Sequence, residues 1–273
     1  MIKYNTFNKI GILAFMCFTL FSCEVVVESD RLEARGGKLV VNSLIGPQSD
    51  LIIVEVSLSK SILGYQTDYY DNFEDIVTSA VVSLSDGASS VFLTYDPTLK
   101  KYFIDSSLFP IATGNTYYLK VEYLGITATA YCKIPEAVTD FWVEEEYNGY
   151  ESNINVYWKD APSVDNFYYV IANSEGLNNS VYYFYGDRLT SDLNKDGFTI
   201  SAEGTAYIGE SGARNVNIEV ISLDENYYEY ETRLANNSGD DPFSEPIPRY
   251  SNVNGGVGIF AGFNVAEGTF IFN

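Results

Sequence analysis

The residues TYYLKVEY at positions 116–123 decide the fold class, because their side chains alternate in character along the segment. Every second residue from Tyr117 to Tyr123 is aromatic or aliphatic, whereas Lys120 and Glu122 are charged. A period of two is typical of a half-buried β-strand. Comparable short segments rich in Val, Ile, Tyr and Thr occur on both sides, separated by Gly, Asn, Asp and Pro at turn positions. The sequence therefore predicts a mainly β protein.

The segment before Tyr117 indicates the type of β domain. LFP at residues 108–110 and Gly114 precede it, an arrangement that resembles the tyrosine corner of immunoglobulin and fibronectin-type domains. In that corner, a Tyr hydroxyl bonds back to the loop before its strand. Seven predicted strands come before Pro135, which ends the last of them. We therefore expect an immunoglobulin- or fibronectin-like sandwich over residues 38–136.

The second half of the chain predicts another β-rich domain, over residues 137–273. Seven more strand segments lie in its first part, and two of them, at 198–201 and 204–208, are separate strands in this prediction. The tail from residue 255 onward is rich in Gly and apolar residues. Such a composition is typical of closing strands that need close backbone approach.

One segment in this half has helical rather than strand spacing. SLDE at residues 222–225 fits a capping box, in which a Ser is followed three positions later by a Glu. Tyr227, Tyr230 and Leu234 then recur at helical intervals. We predict the one helix of this domain near residues 224–236.

The N-terminal residues have the pattern of a lipoprotein leader. Lys3 and Lys9 precede an apolar run at residues 10–20, which matches a secretory signal peptide and is too short to span a bilayer. The run ends in the lipobox LFSC at residues 20–23, where a Leu, a free position and a small residue precede Cys. At such a site the Cys thiol is acylated and the chain is cut before it. The alternative is a plain secretory signal in which the Cys is incidental.

We expect residues 1–22 to be removed as a signal peptide and Cys23 to become the palmitate-bearing first residue of a bacterial lipoprotein. Residues 23–37 are polar and would form the tether between the lipid and the folded body. Acidic residues between Glu24 and Asp30 resemble the signal that sends Bacteroidota lipoproteins to the cell surface, although a Val triplet interrupts them. The expected location is the outer membrane, with periplasmic and cell-surface exposure both open.

The composition disfavours several classes of function. The formal net charge is −21, and loss of Lys3 and Lys9 with the leader lowers it to −23, so the surface would repel nucleic acid. The absence of His removes the commonest general base and transition-metal ligand. The 37 Asp and Glu residues leave a carboxylate-based hydrolase open, but no pair stands out. Cys132 is the one Cys left for the mature fold, and its alternating surroundings predict a small buried side chain.

One segment matches the pattern of a calcium-binding loop. DLNKDGFTISAE at residues 192–203 places Asp192, Asn194, Asp196 and Glu203 at loop positions 1, 3, 5 and 12, with a Gly at position 6. The spacing would bring side-chain oxygens around one cation. The flanking segments predict strands, so this loop would not be a helix–loop–helix EF-hand. The alternative is an Asp-Gly turn that leads into a strand.

Tyr is abundant, with 23 residues and several doublets. In a doublet on a strand, one ring faces the core and the other faces solvent, where it can stack on a sugar or anchor a protein partner. The alternative is that Tyr simply suits a half-buried sheet. Tyr69, Tyr70 and Phe73 lie in an acidic, aromatic loop and are our candidates for partner binding.

Several segments resemble one Bacteroidota lipoprotein family, catalogued as domain of unknown function forty-two forty-nine. Its C-terminal signature is similar to residues 241–246 (DPFSEP) and 250–263 (YSNVNGGVGIFAGF). Its central motif is similar to residues 158–162 (WKDAP) and 166–169 (NFYY). Its opening strands are similar to residues 40–42 (VVN) and 54–59 (VEVSLS). The resemblance covers nearly the whole mature chain. It implies an outer-membrane lipoprotein, often encoded beside a TonB-dependent receptor, and it assigns no catalytic residues.

These observations give three hypotheses about function. The first is a non-enzymatic outer-membrane lipoprotein that acts as an accessory or binding subunit beside a TonB-dependent transporter. The second is a stand-alone surface lipoprotein that binds carbohydrate or peptide through exposed Tyr residues. The third is a carboxylate-based hydrolase. A receptor gene beside this one would favour the first over the second, and two carboxylates that face each other in a cleft would favour the third.

Overall fold

The structure is a computed structural model that describes residues 37–59, 75–147, 151–162, 164–175, 181–183, 185–186, 189–193, 195–207, 214–236 and 250–272. The regular elements of this part of the chain are almost all strands. They are β1 (Leu39–Ile45), β2 (Leu51–Leu58), β3 (Asp75–Ile76), β4 (Val81–Ser85), β5 (Ser90–Asp96), β6 (Lys101–Asp105), β7 (Thr116–Tyr123), β8 (Ile126–Lys133), β9 (Phe141–Tyr147), β10 (Glu151–Lys159), β11 (Phe167–Glu175), β12 (Val181–Tyr183), β13 (Tyr185–Gly186), β14 (Leu189–Ser191), β15 (Thr199–Tyr207), β16 (Arg214–Leu223), α1 (Glu225–Asn236) and β17 (Val257–Phe272). The predicted mainly β fold is confirmed.

The described strands form two sheets. The larger has thirteen strands in the order β12-β11-β16-β17-β1-β2-β6-β5-β4-β7-β8, with β14 paired to β11 and β3 paired to β2. The smaller has the order β13-β15-β10-β9. The pairing of β1 with β17 is parallel, from Val40 and Val257 to Ile45 and Gly262. Every other pairing between described strands is antiparallel.

The first hydrophobic cluster lies inside the part of the large sheet that contains β1 to β8. Along β7, Tyr117, Leu119 and Val121 are buried and the residues between them are exposed, as the alternation predicts. The sheet curls until its last strand meets the chain ahead of β17, where Thr129 and Asn254 pair as an isolated bridge. Burial of these apolar faces removes them from water and is the main stabilising contribution to the fold. This arrangement is compatible with the predicted sandwich.

The tyrosine corner is present. The Tyr117 hydroxyl accepts a hydrogen bond from the Ala112 backbone N–H at 2.7 Å and donates one to the Pro110 carbonyl at 3.3 Å. The Tyr117 ring meets the Phe109 ring edge to face at 6.0 Å between centroids. The loop at residues 108–114 is therefore fixed to β7 by polar and aromatic contacts together, as the sequence predicts.

The second hydrophobic cluster lies between the small sheet and the far end of the large sheet. Ile154, Val156 and Trp158 of β10 face it from one side, together with Ile200 and Ala202 of β15. The opposite side is formed by alternate residues of β11 and β16: Tyr168, Val170, Ala172, Val216, Ile218 and Val220. Two faces with a period of two thus share one core, as in a β-sandwich.

Strand β17 takes part in both clusters. Its first half pairs with β1, and Phe260 is buried in the first cluster. Its second half pairs with β16, and Ala266 and Phe270 pack against the second. The predicted boundary near residue 136 falls between the two clusters along the chain, but the return of β17 to the first cluster was not predicted. The predicted closing strands are one continuous strand of 16 residues.

Helix α1 confirms the predicted helix, but its cap differs from the prediction. The Asp224 carboxylate, rather than the Ser222 hydroxyl, accepts the Tyr227 backbone N–H at 3.1 Å. Ser222 is still part of β16, so its side chain is buried and cannot reach the first turn. An Asp at the N-cap satisfies one of the free N–H groups at the start of the helix.

A second correction concerns the segments predicted as separate strands at 198–201 and 204–208. They are a single strand, β15, with Gly204 in its interior. Gly204 lies between Ile154 of β10 and Gly186 of β13, so neighbours on both sides hold it in the sheet. Within the described residues, no helix has the length and apolar character that a membrane span requires.

Candidate functional site

Three aspartates come together where β10 and β14 end. One carboxylate oxygen from each of Asp160, Asp192 and Asp196 lies within 4.8 Å of the other two. Asp160 directly follows β10, and Asp192 directly follows β14. Asp160 is 2% exposed and Asp192 4% exposed, whereas Asp196 lies at the surface. We call these three residues the aspartate cluster.

Hydrogen bonds hold Asp160 in a fixed position. Its Oδ1 accepts the Tyr168 hydroxyl at 2.6 Å, and its Oδ2 accepts the Gly197 backbone N–H at 2.8 Å. Gly197 has φ of +73°, and a Cβ there would lie 3.2 Å from the Pro162 Cβ, so the turn favours glycine. The Tyr168 ring in turn meets the Trp158 ring edge to face at 5.1 Å. Asp160 therefore joins the end of β10 to β11 and to the turn before β15.

Asp192 is less well satisfied. Its backbone N–H donates to the Asn166 carbonyl at 3.1 Å, but its side-chain Oδ2 is buried and has no hydrogen-bond partner in the described part of the chain. Burial raises the pKa of the Asp192 carboxyl above its ordinary value, and the carboxylates of Asp160 and Asp165 add to the rise, whereas hydrogen bonds from Asn166 oppose it. The electrostatic neighbours identified around Asp192 are thus negative rather than positive.

The structure brings together part of the predicted calcium loop and adds one residue to it. Asp192 and Asp196 belong to the cluster, but Glu203 does not, because it faces solvent on β15. Asn194 lies outside the described residues. The sequence search missed Asp160, which precedes the loop by more than thirty residues and fits no linear pattern. A signal was nevertheless present, because an Asp that directly follows the apolar positions of a strand is placed at the edge of the core.

The aspartate cluster is not arranged as a hydrolytic pair. Two catalytic carboxylates need to reach a substrate from opposite sides of a cleft. Asp160 and Asp192 are almost completely covered by protein, and both oxygens of Asp160 already accept hydrogen bonds. The arrangement suits the binding of a small ion better than the cleavage of a bond.

An exposed aromatic surface lies on strands β4, β7 and β8, in the first half of the chain. Tyr118 pairs across the sheet with Ser85 and with Tyr131, and the two Tyr rings are 6.4 Å apart between centroids. Tyr118 is 50% exposed and Tyr131 is 64% exposed. The outward side chains that surround them line a shallow depression of about 470 Å³. We call this surface the Tyr118 face and define it by Ser83, Ser85, Tyr118, Lys120, Thr129 and Tyr131.

The Tyr118 face follows from the strand period. Tyr117 points into the first cluster, so Tyr118 must point outward, as predicted for a doublet on a strand. The adjoining residue on β5, Phe92, lies opposite Ser83 and is also strongly exposed. Lys120 is paired with Glu122 at 2.9 Å. Exposed aromatic rings beside hydroxyl and charged groups are typical of surfaces that bind sugars or proteins.

The remaining candidate residues are placed as follows. Cys23, Tyr69, Tyr70 and Phe73 lie outside the described residues. Cys132 is free and fully buried, and burial raises the pKa of its thiol well above the ordinary value. A thiol without solvent access and with little thiolate is unreactive, so the predicted role as a small buried residue is confirmed.

The model of a family described as a domain of unknown function, DUF4249, matches residues 24–269. A search of curated proteins finds no match. The matched range includes the aspartate cluster, the Tyr118 face and both hydrophobic clusters.

Proposed function

The chain belongs to the DUF4249 family, and from this premise we propose that it is a lipid-anchored, non-enzymatic binding protein of the outer membrane that serves a TonB-dependent transporter as an accessory subunit. The lipobox that ends at Cys23 supports the anchor. Lipid modification holds a folded body at a membrane without a spanning helix. The resemblance of the sequence to lipoproteins encoded beside such receptors supports the choice of partner.

The observation that carries the binding role is the Tyr118 face. An accessory subunit needs a persistent interface, and persistent interfaces are centred on aromatic residues that become buried on binding. Tyr118 and Tyr131 are held on neighbouring strands by backbone pairing, so binding a partner would cost little backbone ordering. The loop residues Tyr69, Tyr70 and Phe73 remain a second predicted contact.

The anchor is tested by replacing the acylated residue. Cys23→Ala should prevent lipidation, because no thiol remains for the lipid. We expect the variant to lose labelled palmitate and to leave the outer-membrane fraction. A variant that still incorporates palmitate and still fractionates with the outer membrane would contradict the proposal.

The accessory role is tested by recovery of a partner from detergent-solubilised outer membrane. The wild type should recover an integral outer-membrane protein, and a Tyr118→Ser, Tyr131→Ser double variant should recover several-fold less of it. Trp142→Ser is the matched control, because Trp142 is a partly exposed aromatic residue that stacks on Tyr157 at 5.5 Å in the small sheet. A third variant with Ser at Tyr69, Tyr70 and Phe73 tests the predicted loop.

Each outcome of this experiment has a meaning. Loss with the Tyr118 face variant alone identifies that face as the interface, and loss with the loop variant alone identifies the loop. If the wild type recovers no integral outer-membrane protein, the accessory role is wrong.

The second candidate is a stand-alone surface protein that binds carbohydrate or peptide. The specific observation in its favour is that two exposed Tyr rings border a depression lined by Ser, Thr and Asn residues. Aromatic rings stack on the apolar faces of sugars, and hydroxyl and amide groups bond to their edges. Saturable binding of an oligosaccharide or peptide that is lost in Tyr118→Ser, with no membrane partner recovered, would favour this candidate.

A further inference from the structure

We propose that the aspartate cluster binds a calcium ion, with Asp160, Asp192 and Asp196 as carboxylate ligands. The site differs from the linear calcium loop in sequence because Asp160 takes part and Glu203 does not. It would connect the end of β10 to the turn between β14 and β15. The proposal is independent of the accessory role, since the cluster and the Tyr118 face share no residues.

The spacing of the three carboxylates fits a single hard cation. Calcium binds oxygen atoms at about 2.3–2.6 Å, so two ligands of one ion are at most about 5 Å apart. The cluster oxygens all lie within 4.8 Å of one another. Carboxylates are preferred ligands of Ca²⁺, and three of them more than balance its double positive charge. Water completes the coordination on the side of Asp196, which is exposed.

The burial of Asp192 is the second, independent observation. A buried carboxylate without a partner is strongly unfavourable, because desolvation of its charge is not compensated. One oxygen of Asp192, Oδ2, is buried without a hydrogen-bond partner among the described residues, although Asn166 hydrogen-bonds to the carboxyl group. None of the ion pairs between described residues includes Asp160 or Asp192. Native proteins satisfy nearly all buried polar atoms, so an unpartnered carboxylate oxygen beside two other carboxylates favours a cation as its partner.

The surrounding hydrogen bonds orient Asp160 as a ligand. The Tyr168 hydroxyl and the Gly197 N–H each donate to one of its oxygens, which leaves further lone pairs on both. Such donors fix the direction of a ligating carboxylate in metal sites. A backbone hydrogen bond from the Phe198 N–H to the Lys195 carbonyl, at 2.9 Å, closes the turn that contains Asp196.

The experiment titrates the detergent-solubilised full chain with Ca²⁺ and, separately, with Tb³⁺ as a luminescent substitute. We expect Ca²⁺ at about a hundred times its dissociation constant to raise the melting temperature by about 5 °C or more over chelator. Excitation of Trp158 and Tyr168, which lie beside Asp160, should sensitise Tb³⁺ emission. Added Ca²⁺ should displace this emission.

Four single variants locate the site. Asp160→Asn and Asp192→Asn should each weaken Ca²⁺ binding at least tenfold. Asp192→Asn should melt in chelator at or above the wild-type temperature, since it removes a buried charge, which separates loss of binding from loss of folding. Glu203→Gln, in the linear loop, and Asp50→Asn, at an exposed site on the first cluster's surface, should bind as the wild type does.

Three results would overturn the proposal. Equal melting temperatures in Ca²⁺ and chelator, without displaceable Tb³⁺ emission, would mean that a proton rather than a metal neutralises Asp192. Loss of binding in Glu203→Gln but not in Asp160→Asn would assign the ion to the linear loop. A response to Mg²⁺ alone would show that the ion is not calcium.

Discussion

The two hydrophobic clusters differ in how completely the buried polar side chains around them are hydrogen-bonded. In the first, the Tyr102 hydroxyl accepts the Ala80 N–H and donates to the Val77 carbonyl, both at 2.8 Å, and the Ser43 hydroxyl donates to the Ile53 carbonyl at 2.7 Å. In the half of the chain that forms the second, four buried side-chain atoms lack a partner within the described residues. They are Trp158 Nε1, Asp192 Oδ2, Ser222 Oγ and Thr232 Oγ1.

The part of the chain around the first cluster thus pairs these buried polar groups, whereas the part around the second cluster keeps several without hydrogen-bond partners. We call these two parts the first and second regions. Each unpartnered buried polar atom lowers stability by about 1–3 kcal/mol, so a protein keeps few of them without a reason. Among the described residues, the buried carboxylates are Asp160, Asp192 and Asp224, and they all lie in the second half of the chain. In natural proteins, buried polar groups that lack hydrogen-bond partners are found mostly at functional sites. The proposed calcium site lies in this half of the chain.

The largest expected effect is at the strand that joins the two regions. Gly258 of β17 has φ of +121°, and a Cβ there would lie 2.1 Å from the Val41 carbonyl oxygen of β1. Gly258→Ala should therefore separate β17 from β1 and lower the free energy of unfolding by about 3 kcal/mol or more. Urea denaturation measures the loss.

Gly125→Ala is the matched control for this change. Gly125 also has a positive φ, of +81°, but a Cβ there would meet nothing within 4 Å. Its substitution should lower stability by only about 1 kcal/mol. Equal losses in the two variants would mean that the close contact of β17 with β1 contributes nothing.

The next effect concerns a buried carboxylate of the second half. Burial raises the pKa of Asp224 from 3.8 to about 6. Because the folded-state pKa is the higher one, the folded protein holds its proton more tightly, and stability falls as pH rises from about 4 to about 6. The free energy of unfolding of Asp224→Asn, relative to wild type, should therefore rise by about 2–3 kcal/mol between pH 4 and pH 7.

A comparison of pH series isolates this group. Any hydrogen bond lost in Asp224→Asn shifts its stability by the same amount at every pH, so only the change with pH reports the buried charge. Asp50→Asn, at an exposed position, should run parallel to the wild type. A constant difference between Asp224→Asn and wild type across this range would show that Asp224 is not desolvated.

The smallest expected effect concerns a buried hydrogen bond near the first cluster. Tyr117→Phe removes the hydroxyl that accepts from Ala112 and donates to Pro110. Loss of a buried hydrogen bond should lower stability by about 1–2 kcal/mol. Tyr118→Phe, on the exposed side of the same strand, should leave the urea midpoint unchanged. An unchanged midpoint in Tyr117→Phe would remove the tyrosine corner as a contributor to the first region.

The sequence predicted local structure well where the periodicity was strong. Strand β7, the tyrosine corner and helix α1 each depend on residues close together along the chain, so a period or a turn residue is enough to identify them. The predicted break within β15 was wrong because Ala202 and Glu203, which lie between the two predicted segments, also pair with β10 and continue the strand. The cap of α1 was displaced because two residues, Ser222 and Asp224, both suit that position.

Long-range relations could not be predicted from one sequence. The parallel pairing of β17 with β1 joins distant parts of the chain, and no turn residue marks it. Asp160 lies outside the linear calcium-loop pattern, and only the tertiary structure places it beside Asp192 and Asp196. The Tyr118 face was predicted only as one outward ring of a doublet, because its partner Tyr131 comes from the neighbouring strand.

The position of β17 also governs the order in which the protein can fold. The Ile259 backbone N–H donates to the Asn42 side chain across 217 residues of sequence, and the parallel ladder around it has the same separation. Contacts so distant along the chain form late, because closing a long loop has a large entropic cost before any contact is gained. A chain emerging from its N-terminus would expose the edge of β1 until β17 had been made. The first region, although its own strands come first, is thus completed last.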